Sequence, residues 1–263
     1  MVRVDKRQEY ILTCIKETGF ASITEIAKRF DVSIETIRRD INELCKNNMV
    51  KKVRGGAVSS KPSVRKDEEY LLRMRSNQQQ KLSIGLKAAS FIHDGSVVAF
   101  DCGVSIQAVA SCLSNVKNVT LVTNSISVAS ILLDKINRDE ISGRIILIGG
   151  ELDNKNRFSK GAIPTNAIAD FYFDIAFISC TAVSCDAVSS YNLDECSFSK
   201  RLIERSSASI LIAESNKIDK SSVCSFAKIT DFVKVITDDK NLISDNLKKH
   251  CENNKVELIV VPI

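Results

Sequence analysis

Residues that build metal and disulfide chemistry at close spacing are scarce in this sequence. Only two of its 263 residues are histidines, His93 and His250, and the nine cysteines (Cys14, Cys45, Cys102, Cys112, Cys180, Cys185, Cys196, Cys224 and Cys251) include no C-x-x-C pair. A zinc site needs soft ligands in short succession, so no metal is expected, and no other cofactor. An odd, scattered set of thiols makes no disulfide framework; reduced, mostly buried cysteines are the expectation. Long apolar runs are missing too. No window approaches the ~18 uninterrupted apolar residues of a membrane span. The opening stretch, MVRVDKRQEYILTCIKETGF, meets a charge every few residues and lacks the apolar core of a signal peptide. A cytoplasmic protein with no membrane partner is therefore expected.

What is present is ordinary in amount and uneven in placement. Hydrophobic residues make up 44% and charged residues 26%, the proportions of a soluble globular protein. The length suits a small domain followed by a medium one. The net charge of +5 sits at one end: residues 1–75 carry 17 Lys+Arg against 11 Asp+Glu, and the remaining 188 carry 20 against 21. That is the layout of a nucleic-acid-binding domain joined to a neutral second domain.

Three helical patterns follow one another in the basic part. The first runs from about Lys6 to Thr18, with Tyr10, Ile11, Cys14 and Ile15 on one side and Gly19 placed to end it. The second opens on Ser22 with Glu25 three residues later, the spacing of a capping box, and carries Ile23, Ile26, Ala27 and Phe30 on one face. The third begins at Ser33 and buries Ile34, Ile37, Ile41 and Leu44, which turns Glu35, Arg39, Glu43 and Lys46 outward with Thr36 and Arg38 at the flanks. Two helices joined by a tight turn, the second exposing hydroxyls and arginines near its N-terminus, make a helix-turn-helix. Hydroxyls and helix N-termini bond phosphate oxygens, and arginine donates two hydrogen bonds to guanine. The stretch MVKKVRGGAVSS then reads as a short hairpin with Lys51, Lys52 and Arg54 at its tip and Gly55-Gly56 in the turn, a wing beside the helices. The candidate DNA-binding residues are Ser22, Ser33, Glu35, Thr36, Arg38, Arg39, Lys51, Lys52, Arg54, Gly55 and Gly56.

These residues resemble the N-terminal domain of the DeoR family of bacterial transcriptional regulators, most specifically in T-I-R-R-D (Thr36 to Asp40) and R-G-G-A (Arg54 to Ala57). Many members of that family have histidine where Arg54 stands. The resemblance implies double-stranded operator DNA as a partner and a homodimer or homotetramer as the working form.

Residues 59–80 are polar and charged and read as a linker passing into a connecting helix, between a winged helix-turn-helix at 1–58 and a second domain at 81–263. Strands are expected at 96–101, 119–122, 144–148, 174–179, 208–213, 232–236 and 256–261, with helices at 81–92, 105–113, 125–134 and 195–206. That alternation predicts an α/β domain with a mostly parallel sheet, whose ligands bind beyond the carboxyl ends of the strands. Three strand ends there carry small and hydroxyl residues: Asp101, Gly103 and Ser105; Thr123-Asn124-Ser125; and Gly149-Gly150. Glycine turns and hydroxyls at helix N-termini can cradle a phosphate.

The order D-x-G, V-T-N-S, I-G-G-E-L is similar to the DeoR-family sensor domain, related in fold to ribose-5-phosphate isomerase and glucosamine-6-phosphate deaminase. The resemblance implies a phosphorylated sugar or related metabolite as effector and no catalytic residue. It adds Lys217 to Asp101, Gly103, Ser105, Thr123, Asn124, Ser125, Gly149 and Gly150 as the effector set. The sequence departs from the family pattern in places. Gly103-Val104-Ser105 replaces a glycine–threonine–threonine turn, and Ser179, Cys180, Thr181 and Ala182 replace a glycine-alanine-aspartate-glycine run. Ser199 stands where lysine is common and Glu214 where aspartate is, with Lys200 and Arg201 near enough to compensate. The reading is a repressor of a carbohydrate uptake or catabolism operon. Its rival is a sugar-phosphate isomerase or deaminase with an added DNA-binding domain, for which Asp101 lacks a second carboxylate because Thr181 occupies that place.

Overall fold

The computed structural model describes residues 4–18, 21–47, 49–53, 55–59, 66–239 and 243–262. Gly19 and Arg54 lie outside these residues, as do 60–65 of the expected linker. The chain divides into two compact units between Lys66 and Asp67.

In the first unit, helix α1 (Val4–Thr18) leads to strand β1 (Ala21–Ser22), helices α2 (Ile23–Phe30) and α3 (Ile34–Lys46), and strands β2 (Val50–Val53) and β3 (Gly56–Ser59). The strands form an antiparallel sheet in the order β1-β3-β2. Asp31, left-handed at φ 51°, closes α2 by donating its N–H to carbonyls of the last turn, and the chain reverses at once into α3. Ile11, Ile15, Ile26, Ile37, Ile41, Leu44 and Val50 form the core.

The buried stripe of α3 differs from the expected one at two places. Ile34 sits in the first turn and is 44% exposed. Asp40, one step past the two arginines, is buried. Arg7 of α1 makes that burial tolerable: its Nε donates to Asp40 Oδ2 at 2.7 Å and its Nη2 to Oδ1 at 3.1 Å. A two-pronged guanidinium–carboxylate contact neutralises both charges and fixes the angle of α3 against α1.

The second unit begins with α4 (Lys66–Arg75), from Asp67 onward, and α5 (Gln78–Ala89). Then follow β4 (Val97–Phe100), α6 (Val104–Cys112), β5 (Val119–Thr123), α7 (Ile126–Asn137) and β6 (Gly143–Leu147). Next come β7 (Glu151–Asp153), β8 (Phe158–Lys160), α8 (Ala162–Ala167), β9 (Phe173–Ser179), β10 (Ala182–Val183) and β11 (Val188–Ser190). The chain ends through α9 (Leu193–Glu204), β12 (Ser206–Ile212), β13 (Cys224–Ala227), β14 (Lys234–Thr237), α10 (Asp245–Asn253) and β15 (Glu257–Val260). Seven strands pair in the order β15-β14-β12-β9-β4-β5-β6, every ladder parallel. All seven expected strands are there, shifted by two residues at most. Sequence periodicity did not reveal the β7–β8 ribbon or the β10-β11-β13 sheet, whose strands have two to four residues and show no period.

The apolar side chains of the sheet split by the alternation of the strands. Val98, Phe100, Leu121, Phe177, Ile210 and Ile236 pack with α5, α6 and α7; Ala99, Val122, Ile178, Leu211 and Val235 pack with α9 and α10. Helices thus cover both faces, as a parallel sheet requires. From β4 the chain steps outward through β5 and β6, then returns to the other side of β4 as β9 and steps the opposite way. This reversal makes the carboxyl ends of β4 and β9 the topological switch point of the sheet, the place where open α/β sheets bind ligands.

Replacing Asp40 by alanine removes the carboxylate that both prongs of the buried Arg7 meet, so Asp40→Ala is expected to cost the first unit about 3–5 kcal/mol. The double change Arg7→Met, Asp40→Leu is expected to recover most of that loss. Urea melts followed by circular dichroism check both; a single variant as stable as wild type refutes the anchoring role.

Candidate DNA surface and candidate anion site

The surface of α3 is built from its own cap outward. Ser33 Oγ accepts the Thr36 N–H at 3.2 Å and lies 2.9 Å from Thr36 Oγ1, so the two hydroxyls first serve the helix. Ser22 caps α2 in the same way, accepting from Glu25 N–H at 3.4 Å. No return bond from the Glu25 carboxylate completes a box among the described residues. Arg38 and Arg39 are exposed. Arg38 Nη1 donates to Glu35 Oε2 at 3.2 Å with both side chains more than half exposed, a pair worth at most about 1 kcal/mol and easily exchanged for a nucleic-acid contact. Ile34 shares the face of Arg38 one turn away, an apolar group that pattern reading had assigned to the core.

On the wing, Lys51 and Lys52 are exposed, and Lys52 Nζ donates to Asn42 Oδ1 of α3 at 3.3 Å, tying β2 to the helix. Gly55 turns at φ 83° with open space where a Cβ would stand, and its carbonyl accepts the N–H of Ile23 at 3.0 Å. Gly56 departs from expectation. It is buried and paired with both Ser22 and Val53, so it serves the ladder and offers no surface.

At the switch point of the second unit, the sequence candidates fall into three groups. Gly103, Ser105 and Lys217 come together. Gly103 turns the chain at φ 111° into α6, which starts without a side-chain cap. Ser105 Oγ donates to Glu214 Oε1 at 2.8 Å, and Lys217 Nζ lies 3.4 Å from the same oxygen and 3.5 Å from Ser105 Oγ. Asp101, at the end of β4, is 1% exposed and saturated: Cys102 N–H donates to Oδ1 at 2.8 Å, and Ser179 N–H (3.1 Å) and Ser199 Oγ (2.9 Å) donate to Oδ2. It fastens β4, β9 and α9 together rather than facing a ligand.

Thr123, Asn124 and Ser125 form the second group and are sealed. Thr123 Oγ1 accepts the Ser125 N–H (3.0 Å), Ser125 Oγ caps α7, and β8 lies across them, with Ser159 N–H donating to Asn124 O at 2.9 Å. Gly149 and Gly150 are exposed at the exit of β6, two strands or about 10 Å from β4. The cradle expected across three strand ends therefore contracts to one. Among the proposed substitutes for a lysine at Ser199, Lys200 is exposed and Arg201 pairs with Glu204 at 2.9 Å.

The structure adds residues that pattern reading missed, mostly from the expected linker. Tyr70 of α4 is buried, with its hydroxyl 3.0 Å from Ser127 Oγ and accepting from Gln107 Nε2 at 2.9 Å. Arg73 Nη2 donates to Asn156 Oδ1 at 2.7 Å and its Nη1 to Tyr191 Oη at 3.4 Å. Asn77 Nδ2 donates to Glu214 Oε2 at 3.1 Å, and Lys81 Nζ stands 3.9 Å from that oxygen while donating to the carbonyls of Arg73 and Ser76. Burial pushes the Glu214 carboxyl up, but Lys217, Lys81 and the bonds from Asn77 and Ser105 outweigh it and hold it below its ordinary value. Burial lowers the Lys81 ammonium. Desolvation raises Asp101 to about 6 despite its three donors, and raises Glu195 of α9, which accepts from Ser190 Oγ at 3.1 Å, to about 7. Glu195 is the second carboxylate that the sequence did not disclose. A bare lysine eight residues after Arg73, flanking the left-handed break at Asn77, was the available signal.

Comparisons with known proteins bear on both units. The model described as "DeoR-like helix-turn-helix domain" matches residues 7–63, and "DeoR C terminal sensor domain" matches 76–239. The HTH-type transcriptional repressor GlcR of Bacillus subtilis is 29% identical over 97% of this chain and 96% of its own length. The glycerol-3-phosphate regulon repressor of Escherichia coli is 30% identical over 89% and 90%, and the L-fucose operon activator of Haemophilus influenzae 27% over 97% and 99%. Among solved structures, ribose 5-phosphate isomerase A of Methanocaldococcus jannaschii aligns with 54% of this chain and 55% of its own at a TM-score of 0.38 and 13% identity. No helix among the described residues is long and apolar enough to cross a membrane. With both models matched in order and relatives aligned nearly end to end, the chain belongs to the DeoR family of transcriptional regulators.

Proposed function

We propose that this chain represses a carbohydrate uptake or catabolism operon, and that a phosphorylated sugar or related metabolite bound at the switch point sets its affinity for DNA. The observation that carries the effector half is the charge inventory there. Lys81 and Lys217 converge on one carboxylate, Glu214, and Arg73, whose carbonyl accepts from Lys81, adds a third cation with no carboxylate of its own, while the buried Asp101 and Glu195 are shifted towards their neutral forms. Buried cations call for anions, and a phosphate monoester supplies the missing charge together with acceptors for Ser105 and the open N-terminus of α6. The DNA half rests on the exposed Arg38 and Arg39, held at a fixed angle by Arg7–Asp40. Arg38 and Arg39 reach base edges, Thr36 and Ser33 offer hydroxyls to phosphates beside the cap, Ile34 suits a thymine methyl, and Lys51 and Lys52 follow the neighbouring backbone. Winged helices that read two-fold sites do so in pairs, so the working form is a homodimer or larger.

The rival reading, an isomerase or deaminase, gains a second carboxylate in Glu195. It loses the first, because every oxygen of Asp101 is committed to internal donors. Turnover of a ribose or amino-sugar phosphate by the purified protein would favour it.

A DNA fragment selected from a random pool provides the assay. Arg39→Ala is expected to weaken binding to it by about 1–3 kcal/mol and relax specificity at one position, and Lys51→Ala to reduce the slope of log K against log salt by about 1. Unchanged affinity in Arg39→Ala and Arg38→Ala together would remove α3 as the reading helix. Acidity is the other handle. Asp101 and Glu195 keep protons in the folded state at pH values where unfolded Asp (~3.9) and Glu (~4.3) have lost them. The folded state therefore binds more protons between about pH 4.5 and 7, and stability falls as pH rises through that window. Thermal melts are expected to show a higher Tm near pH 5.5 than near pH 7.5, with the upper part of the slope flattened in Glu195→Gln. A Tm that stays level or rises from pH 5.5 to pH 7.5 contradicts the assignment of both carboxylates.

A further inference from the structure

Arg73 is unusual among the cations of the second unit. Its Nε is buried with no hydrogen-bond partner, and the two bonds that its other nitrogens make go to neutral oxygens, Asn156 Oδ1 and Tyr191 Oη. No carboxylate among the described residues lies within ion-pair distance of it, yet Lys81, which donates to the Arg73 carbonyl, faces Glu214, which places Arg73 at the same end of the sheet. A partly buried guanidinium with an orphan N–H and no counter-charge is an incomplete site. Its fork suits the planar pair of acceptors that a phosphate or carboxylate edge presents.

The place of Arg73 in the chain gives this incompleteness a consequence. It is in α4, the helix that follows directly on the DNA-binding unit. Tyr70, one turn earlier, fastens α4 to α6 and α7 through Gln107 and Ser127, while Arg157 of the turn between β7 and β8 stacks over the Tyr70 ring at 5.4 Å. At its other end Lys81 donates to the carbonyls of Arg73 and Ser76 and faces Glu214. One ammonium thus holds both the C-terminal carbonyls of α4 and the carboxylate of the effector cluster.

We propose that Arg73 is a ligand-binding residue of the switch-point site, so that α4 forms one wall of that site and is held differently with and without a bound anion. The proposal rests on the effector reading given above. A phosphate monoester seated between Arg73 and Lys217 takes the orphan N–H of Arg73 and competes with the α4 carbonyls for Lys81. The anion thereby acts on the helix that carries the DNA-binding unit, which gives it a different affinity for two arrangements of the chain, the condition for coupling ligand to DNA.

Calorimetric titration of the full chain with inorganic phosphate, glycerol 3-phosphate and a hexose 6-phosphate tests this, with the unphosphorylated hexose as control. The variants are Arg73→Met, Arg73→Lys and Lys217→Met. Amide hydrogen exchange of residues 70–76 is followed with and without the tightest binder. Expected are tenfold or greater weakening in Arg73→Met, partial recovery in Arg73→Lys, and ligand-induced slowing of exchange in 70–76 that disappears in Arg73→Met even at saturation. If Lys217→Met loses binding while Arg73→Met binds like wild type, or if the ligand leaves exchange in 70–76 unchanged in the wild type, Arg73 is no part of the site and the proposal falls alone. If the wild type binds none of the phosphorylated probes, the effector reading falls with it. Should Arg73→Met fail to fold, Arg73→Lys decides: wild-type affinity and wild-type exchange response there overturn the forked contact.

Discussion

Much of the second unit is organised around one buried carboxylate. Glu214 is 5% exposed, and a carboxylate taken out of water costs several kcal/mol unless it is surrounded by donors. Its donors come from widely separated places: Asn77 and Lys81 at the start of α5, Ser105 in the first turn of α6, and Lys217 from its own turn. Satisfying that single charge draws the connector helices, the loop after β4 and the loop after β12 to the same point. That point is where the sheet reverses its direction of growth, so the fold's topology and its buried charges meet at the same place.

Removing the charge of Asp101 from the solvent works differently. Its partners are two backbone N–H groups and a serine hydroxyl, and burial raises its carboxyl further than these three donors lower it. Three cations, Lys81, Lys217 and Arg73, stand at the same end of the sheet.

The parts of this structure that could be read in advance are those with a period. The faces of α2 and α3, the seven strands and the glycine turns at β3 and α6 all announce themselves within a dozen residues. What escaped reading depends on contacts with no local trace. Asp40 looks like surface by type and is buried only because Arg7, 33 positions earlier, reaches it with both prongs. Lys81 looks like the solvated start of a helix; Asn77, four residues before it, meets Glu214 across 137 residues. Thr123-Asn124-Ser125 reads as an open loop because β7 and β8, at three residues each, are too short to show that a ribbon lies on it.

The run Arg38-Arg39-Asp40 places two outward residues directly beside an inward one. Along α3, the side chains that can meet bases and those that hold the helix in place alternate without sharing a position. Substitution at Ile34, Arg38 or Arg39 therefore leaves the Arg7–Asp40 anchor untouched, and the anchoring residues can stay fixed while the exposed face of the helix changes. A lineage that duplicates such a regulator starts with a reading head already separable from its mount.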